Sequence, residues 1–206
     1  MSPAPSLTAL RRSARDCRRC ELYKDATQTV FGAGPPDAEL ILVGEQPGDR
    51  EDREGKPFVG PAGRVLGQVL DEAGVGRDEV YVTNAVKHFK WRERGKRRLH
   101  DTPRAPEINA CRPWLESELA ALEPNGILAM GATAARSLFG TKVKVTRDRG
   151  RLLDSPFAPV ATVTIHPSAV LRLREREERA QATAEMVDDL ELVLAELRQL
   201  PQSTID

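Results

Sequence analysis

Four short apolar runs, separated by helical patterns, constrain this sequence more than any other feature. They are ELILVGE (39–45), EVYVTNAV (79–86), GILAMG (126–131) and PVATVTIHP (159–167). Each is rich in β-branched residues, as strands are. AGRVLGQVLDEAG (62–74) reads as a helix, with Pro61 and Gly74 as start and stop signals. Further helices are expected over about 106–121, from Gly131 through ATAARSLFG, and over about 168–199. In the last of these, LRLREREER is solvated charge and MVDDLELVLAEL an amphipathic packing face. Leu7 to about Cys20 also reads as helix, basic on its outer side, and residues 1–6 as a loose end. Strands alternating with helices predict one α/β/α layered domain over residues 1–206, with a parallel sheet between two helical faces.

Sheets of this kind bind ligands outside the carboxyl ends of their strands. Here those ends carry Gly44-Glu45-Gln46-Pro47-Gly48-Asp49, Asn84, Gly131 and His166-Pro167-Ser168. Polar, turn-forming and acid–base residues thus gather along one edge. In GEQPGDREDREGKPFVGPAG (44–63), a solvated acidic loop accounts for Arg50, Arg53 and Glu54 but poorly for Glu45, which abuts a buried strand. Phe58 is either core or a surface that stacks on a flat ring. Asn84 is a turn residue by default, yet its amide suits a base edge. His166 is a satisfied core histidine or an electrostatic partner for a departing anion.

Residues 84–111, NAVKHFKWRERGKRRLHDTPRAPEINAC, form a long charged connection with no apolar period. From Lys87 to Arg104, eight basic residues face the acids Glu93 and Asp101. The formal net charge of the chain is +0, so affinity for nucleic acid must come from such a local patch. Arginine far outnumbers lysine, which a GC-rich genome explains better than phosphate binding does. Three cysteines argue against a secreted disulfide framework. Cys17-x-x-Cys20 with Cys111 suggests zinc, an iron–sulfur cluster or a redox pair, with His88 as the candidate fourth ligand. The N-terminus lacks an apolar signal core, and no apolar run reaches membrane-span length. A soluble, cytoplasmic, monomeric protein with no membrane partner is expected.

Taken in order, GEQPGDREDREGKPFVGPAG, TNAVKHFK, the KRRLH run (96–100), the CxxC…Cys set and the terminal HPS resemble the UdgX proteins. That group is a branch of the uracil-DNA glycosylase superfamily related to its iron–sulfur family 4. The resemblance implies an α/β/α sandwich around a four-stranded parallel sheet, and uracil-containing DNA as partner. It implies a [4Fe–4S] cluster on Cys17, Cys20, His88 and Cys111, which would pin both ends of a basic loop over residues 88–111. Family 4 carries cysteine where His88 stands, usually has a small residue at Gln46, and lacks the KRRLH loop. By the same resemblance Phe58 stacks on uracil, Asn84 bonds its polar edge, and His166 beside Ser168 stabilises the uracil anion. Glu45, Gln46 and Asp49 line the cationic side. His100 captures the sugar at C1′, with Arg97 and Arg98 holding the flanking phosphate and the loop. The alternatives are a conventional multiple-turnover glycosylase, a zinc-stabilised nucleic-acid-binding module, and a nucleotide hydrolase, the last weakened by the lack of a P-loop lysine pattern.

Overall fold

A computed structural model describes residues 5–201. The four apolar runs become β1 (Leu40–Gly44), β2 (Val80–Asn84), β5 (Gly126–Met130) and β6 (Val160–Thr164). All pair in parallel, in the order β2-β1-β5-β6. Every residue of these strands is buried, because both faces of the sheet are covered. Strand periodicity sorts the side chains into two cores. Ile41, Val43, Ile127 and Ala129 pack with α4 (Ala105–Leu122) and α5 (Ala132–Phe139). Leu40, Leu42, Leu128 and Met130 pack with α3 (Pro61–Glu72), α7 (Pro167–Arg172) and α8 (Arg176–Leu197). The expected α/β/α sandwich is therefore the observed one.

The chain leaves β1 through α3 on one face and leaves β5 through α5 on the other. Adjacent strands whose connections diverge leave a crevice at their carboxyl ends. Glu45 and Thr133 meet across it, the Thr133 hydroxyl donating to Glu45 Oε2 at 2.5 Å.

Several elements differ from expectation. The first helix, α1, covers only Leu7–Ala14, so Cys17 and Cys20 lie in the turn before a 3-10 segment at Glu21–Lys24. Of the expected loose end, residues 1–4 lie outside the described residues. Ser6 is the cap of α1, its hydroxyl accepting the Ala9 amide at 3.3 Å. The acidic stretch after β1 is a short helix, α2 (Asp49–Glu54), closed by Gly55 in the left-handed region (φ 69°). The segment expected as one helix over 168–199 is broken between α7 and α8. A further short helix, α6 (Val145–Asp148), precedes β6.

The largest difference lies in the charged segment. It contains an antiparallel hairpin, β3 (Trp91–Arg94) and β4 (Arg97–His100), turned by Gly95-Lys96 with Gly95 at φ 60°. Two of its basic residues are not surface charge. Lys87 is 1% exposed and its ammonium pairs with the equally buried Glu118. Lys90 is largely buried and donates to Glu107 at 2.9 Å. No helix among the described residues is long and apolar enough to cross a membrane.

Candidate active site

A cavity of about 420 Å³ opens at the carboxyl edge of the sheet, lined by Gln46, Asp49, Glu51, Phe58, Asn84, His100, His166 and Ser168 among others. Its floor is tightly built. A β-carbon on Gly44 would approach Asn84 Oδ1 to 2.5 Å and the Phe58 ring to 2.6 Å, so only glycine lets these groups converge. Phe58 sits at φ 55°, an unusual conformation for a bulky residue, and a β-carbon on Gly63 would overlap its carbonyl. Strain of this sort persists where the surroundings hold a side chain in one place. The ring lies 6.2 Å from that of His166, tilted by 32°.

Among the described residues, two polar atoms in this cavity are buried without a partner, Asn84 Oδ1 and His166 Nε2. The Ser168 amide donates to His166 Nδ1 at 3.2 Å, and the Ser168 hydroxyl lies 2.8 Å from the same nitrogen. An amide N–H can only donate, so Nδ1 accepts and the neutral ring carries its proton on Nε2. Burial pushes the His166 pKa down to about 4, the nearby Glu45 charge opposing the shift only in part. The site thus holds a neutral imidazole with an unspent N–H donor and, beside it, an amide oxygen with an unspent lone pair. Leaving such groups unpaired is costly unless a ligand completes them.

His100 sits at the end of β4, with side chain 48% exposed and Nε2 3.1 Å from Glu45 Oε1. Burial raises the Glu45 pKa, but hydrogen bonds from His100 and Thr133 outweigh it and leave the carboxyl below its ordinary value. Glu45 is therefore an ionised acceptor facing the imidazole.

Three side chains hold the hairpin over the cavity. The Gln46 amide donates to the Lys90 and Asp101 carbonyls, both at 3.1 Å, and accepts the Lys90 amide at 3.0 Å. Trp91 Nε1 donates to the Asp25 carbonyl at 2.9 Å. Arg98 donates to Asp49 at 2.6 Å and to the fully buried Asp52 at 2.7 Å, its guanidinium 5.5 Å from the Phe89 and Trp91 ring centres. Gln46, Asp49 and Arg98 thus have their polar groups engaged in binding hairpin to α2 and β1. Arg98 is committed to carboxylates rather than held open for a phosphate, whereas Arg97 is exposed.

Glu51 escaped the sequence reading. It is 6% exposed and lines the cavity, accepting the Gly60 amide at 2.8 Å and the Gly48 amide at 3.2 Å. In an acidic run it looks like one more solvated charge; only the fold brings two glycine amides to it.

The cysteines gather at the outer end of the same segment. Lys87 N–H donates to Cys111 Sγ, and Trp114 Nε1–H to Cys17 Sγ, both at 3.1 Å. Cys20 and Trp114 pack against the apolar cluster that contains Cys111. Burial pushes the Cys111 thiol up to about 12, and Cys20 and Cys17 add to the rise. His88 is buried and lies 3.0 Å from the Thr29 hydroxyl through Nε2. Among the described residues, no three His, Cys, Asp or Glu side chains converge on a single metal position. A lone zinc requires such convergence. Cluster ligands bind different irons and stand apart, and N–H donors to the sulfurs are their usual second contacts. Cys17 and Cys111 fit that donor pattern; His88 Nε2 is turned to Thr29.

Residues 31–191 match the family model of the uracil DNA glycosylase superfamily. Curated relatives include a type-4 uracil-DNA glycosylase of Thermotoga maritima, 39% identical, over 80% of this chain and 83% of its own length. The type-4 enzyme of Archaeoglobus fulgidus is 35% identical over 84% and 88%, and that of Sulfurisphaera tokodaii 33% over 81% and 76%. A match that runs across the whole sheet, joined by relatives covered over most of their length, makes this chain a member of the uracil-DNA glycosylase superfamily.

Proposed function

We propose that this protein is a uracil-DNA glycosylase that severs uracil from its deoxyribose and then retains the DNA through a bond from His100 to C1′. The glycosylase activity is supported by the family match and by relatives named type-4 uracil-DNA glycosylases. The covalent step rests on one observation: His100 is strapped at the mouth of the cavity, 3.1 Å from the ionised Glu45.

A uracil inside a duplex is out of reach, so the base enters unpaired or flipped out. Phe58 offers a ring face for stacking. The Asn84 amide complements both the N3–H donor and the O4 acceptor of uracil, and its free Oδ1 is the atom that takes N3–H. As the C1′–N1 bond breaks, its electron pair passes to the uracil ring and leaves a cationic sugar. His166 Nε2–H, already desolvated and neutral, donates to the oxygen where negative charge develops. Ser168 fixes the tautomer that makes this donation available.

The ionised Glu45 keeps the proton of His100 on the nitrogen that faces it, so the second ring nitrogen presents its lone pair. That nitrogen forms the bond to C1′. The alkylated imidazolium, its remaining N–H held by Glu45, then releases that proton to the solvent to which the side chain is open, leaving a neutral glycosyl-imidazole that departs poorly. Water capture of the sugar, followed by turnover, is the conventional alternative, and the names of the relatives favour it. In that reading the hairpin serves only DNA binding.

A [4Fe–4S] cluster on Cys17, Cys20 and Cys111, with His88 as fourth ligand once freed from Thr29, would tie the N-terminal turn to the hairpin stem and α4. Bound there, it supplies a structural crosslink. Anaerobically purified protein should be brown, with about four irons per chain, and Cys111→Ser should lose the visible absorbance. A colourless, zinc-loaded protein would remove the cluster from the account.

The function is tested with a uracil oligonucleotide and its thymine counterpart. Uracil should give free base and a heat-stable, SDS-resistant protein–DNA band, and thymine neither. Free abasic DNA in excess of enzyme without that band would establish the multiple-turnover reading instead.

A further inference from the structure

The arginine-rich N-terminal segment takes no part in the chemistry above, yet it borders a second cavity. This cleft, about 570 Å³, lies between α1 and the Gly55–Pro57 turn and is lined by Arg11, Arg15 and Lys56. Among the described residues no carboxylate lines it. The acids of the adjoining α2 are already satisfied. Asp49 and Asp52 pair with Arg98, Glu54 with Arg50, and Glu51 accepts backbone amides. Arg11 braces the cleft by donating to the Gly32 carbonyl at 2.8 Å, and Arg15 and Lys56 are exposed. Among the described residues none of the three forms an ion pair with a carboxylate. In a chain of formal net charge +0, this is a concentrated local field.

Position gives that field a meaning. Lys56 stands two residues before Phe58, whose ring lines the base cavity. Two residues span at most about 7 Å. Nucleotides of one duplex strand rise about 3.4 Å each, so the cleft begins on the order of two nucleotides from the extruded base.

We infer that this cleft is a second DNA contact, in which Arg15 and Lys56 grip phosphates of the strand leading into the base cavity. The inference rests on the glycosylase reading and adds a backbone track to it. Guanidinium and ammonium groups without internal partners bind phosphodiesters and release counterions, so the contact adds affinity without sequence preference.

The test compares a uracil trinucleotide with a uracil oligonucleotide of about ten nucleotides, within the span that single-strand grooves cover. The proteins are wild type, the Arg15→Ala/Lys56→Ala double variant, and Arg198→Ala at the far end of α8. With enzyme in excess, wild type and Arg198→Ala should release uracil from the longer substrate with a higher second-order rate constant, and the double variant should lose most of that preference. Binding to the longer strand should also show a salt slope lower by about 1.4, the single-strand value for two lost phosphate contacts. A double variant with wild-type length preference and salt slope would overturn the proposal. So would an equal loss on both substrates, which would place the damage in the base cavity. Wild type that leaves uracil in both substrates would sink the glycosylase reading itself, an outcome separate from either.

Discussion

His166 shows how much a single residue takes from its surroundings. Ser168 fixes its tautomer, burial keeps it neutral, and the cavity leaves its Nε2–H unspent. Its pKa is about 4 in the fold, against roughly 6.5 when unfolded. Between those values the unfolded chain binds more protons at this site, so the contribution of His166 makes stability rise with pH across that window and level off above it. Urea midpoints measured from pH 4 to pH 7 should therefore be steeper in pH for wild type than for His166→Gln. Parallel curves would mean that the imidazole is not buried in its neutral form. His166 and Asn84 were legible in the sequence because each ends an apolar strand on the ligand-binding edge. Glu51 and Lys87 were not, since Glu51 lies in an acidic run and Lys87 opens a basic segment, and neither setting carries a sign of burial. Their partners, two glycine amides and Glu118, lie elsewhere in the chain.

Among the elements, the β3–β4 hairpin separates what a sequence reveals from what it conceals. WRERGKRRLH lacks the apolar alternation that marks a strand, and only Gly95-Lys96 signals the turn. Its order comes from contacts no periodicity predicts: Gln46 at its stem, Trp91 on the Asp25 carbonyl, and Arg98 between two carboxylates. Substituting Arg98 by Met strands the buried Asp52 without its cation, a change that costs about 3 kcal/mol or more when one partner of a buried pair is removed. Amide exchange in residues 91–100 should accelerate in Arg98→Met, and crosslinking should fall with it. Unchanged protection across the hairpin would show that Arg98 does not hold it. Of the two roles expected of Arg98, holding the loop is the one these contacts show, its guanidinium being engaged by carboxylates rather than open to a phosphate, while Arg97 is exposed beside it.

Across the whole molecule, the parallel sheet brings together residues far apart in the chain. The order β2-β1-β5-β6 places Glu45, Asn84 and His166 on one edge and the cysteines at the flank of the same β2-to-α4 connection. That architecture was legible because four buried strands leave an unmistakable pattern. Behind the site, Glu118 accepts from Tyr81, Thr83 and the Gly32 amide and pairs with Lys87, which also donates to the Asn84 carbonyl. Glu118→Ala should lower unfolding free energy by about 3–5 kcal/mol, read as a shifted urea midpoint at constant m-value. A loss below 1 kcal/mol, on the order of an exposed pair, would show that this network is not part of the frame. Through that frame the molecule holds the cavity and His100 in fixed relation. Mass spectrometry of protein reacted with a uracil oligonucleotide and digested to peptides tests that relation most directly. The account predicts a deoxyribose-linked nucleotide mass on the peptide containing His100, on that residue alone, and none in His100→Ala. Complete release of uracil with every peptide unmodified, or an adduct that persists in His100→Ala, would contradict it.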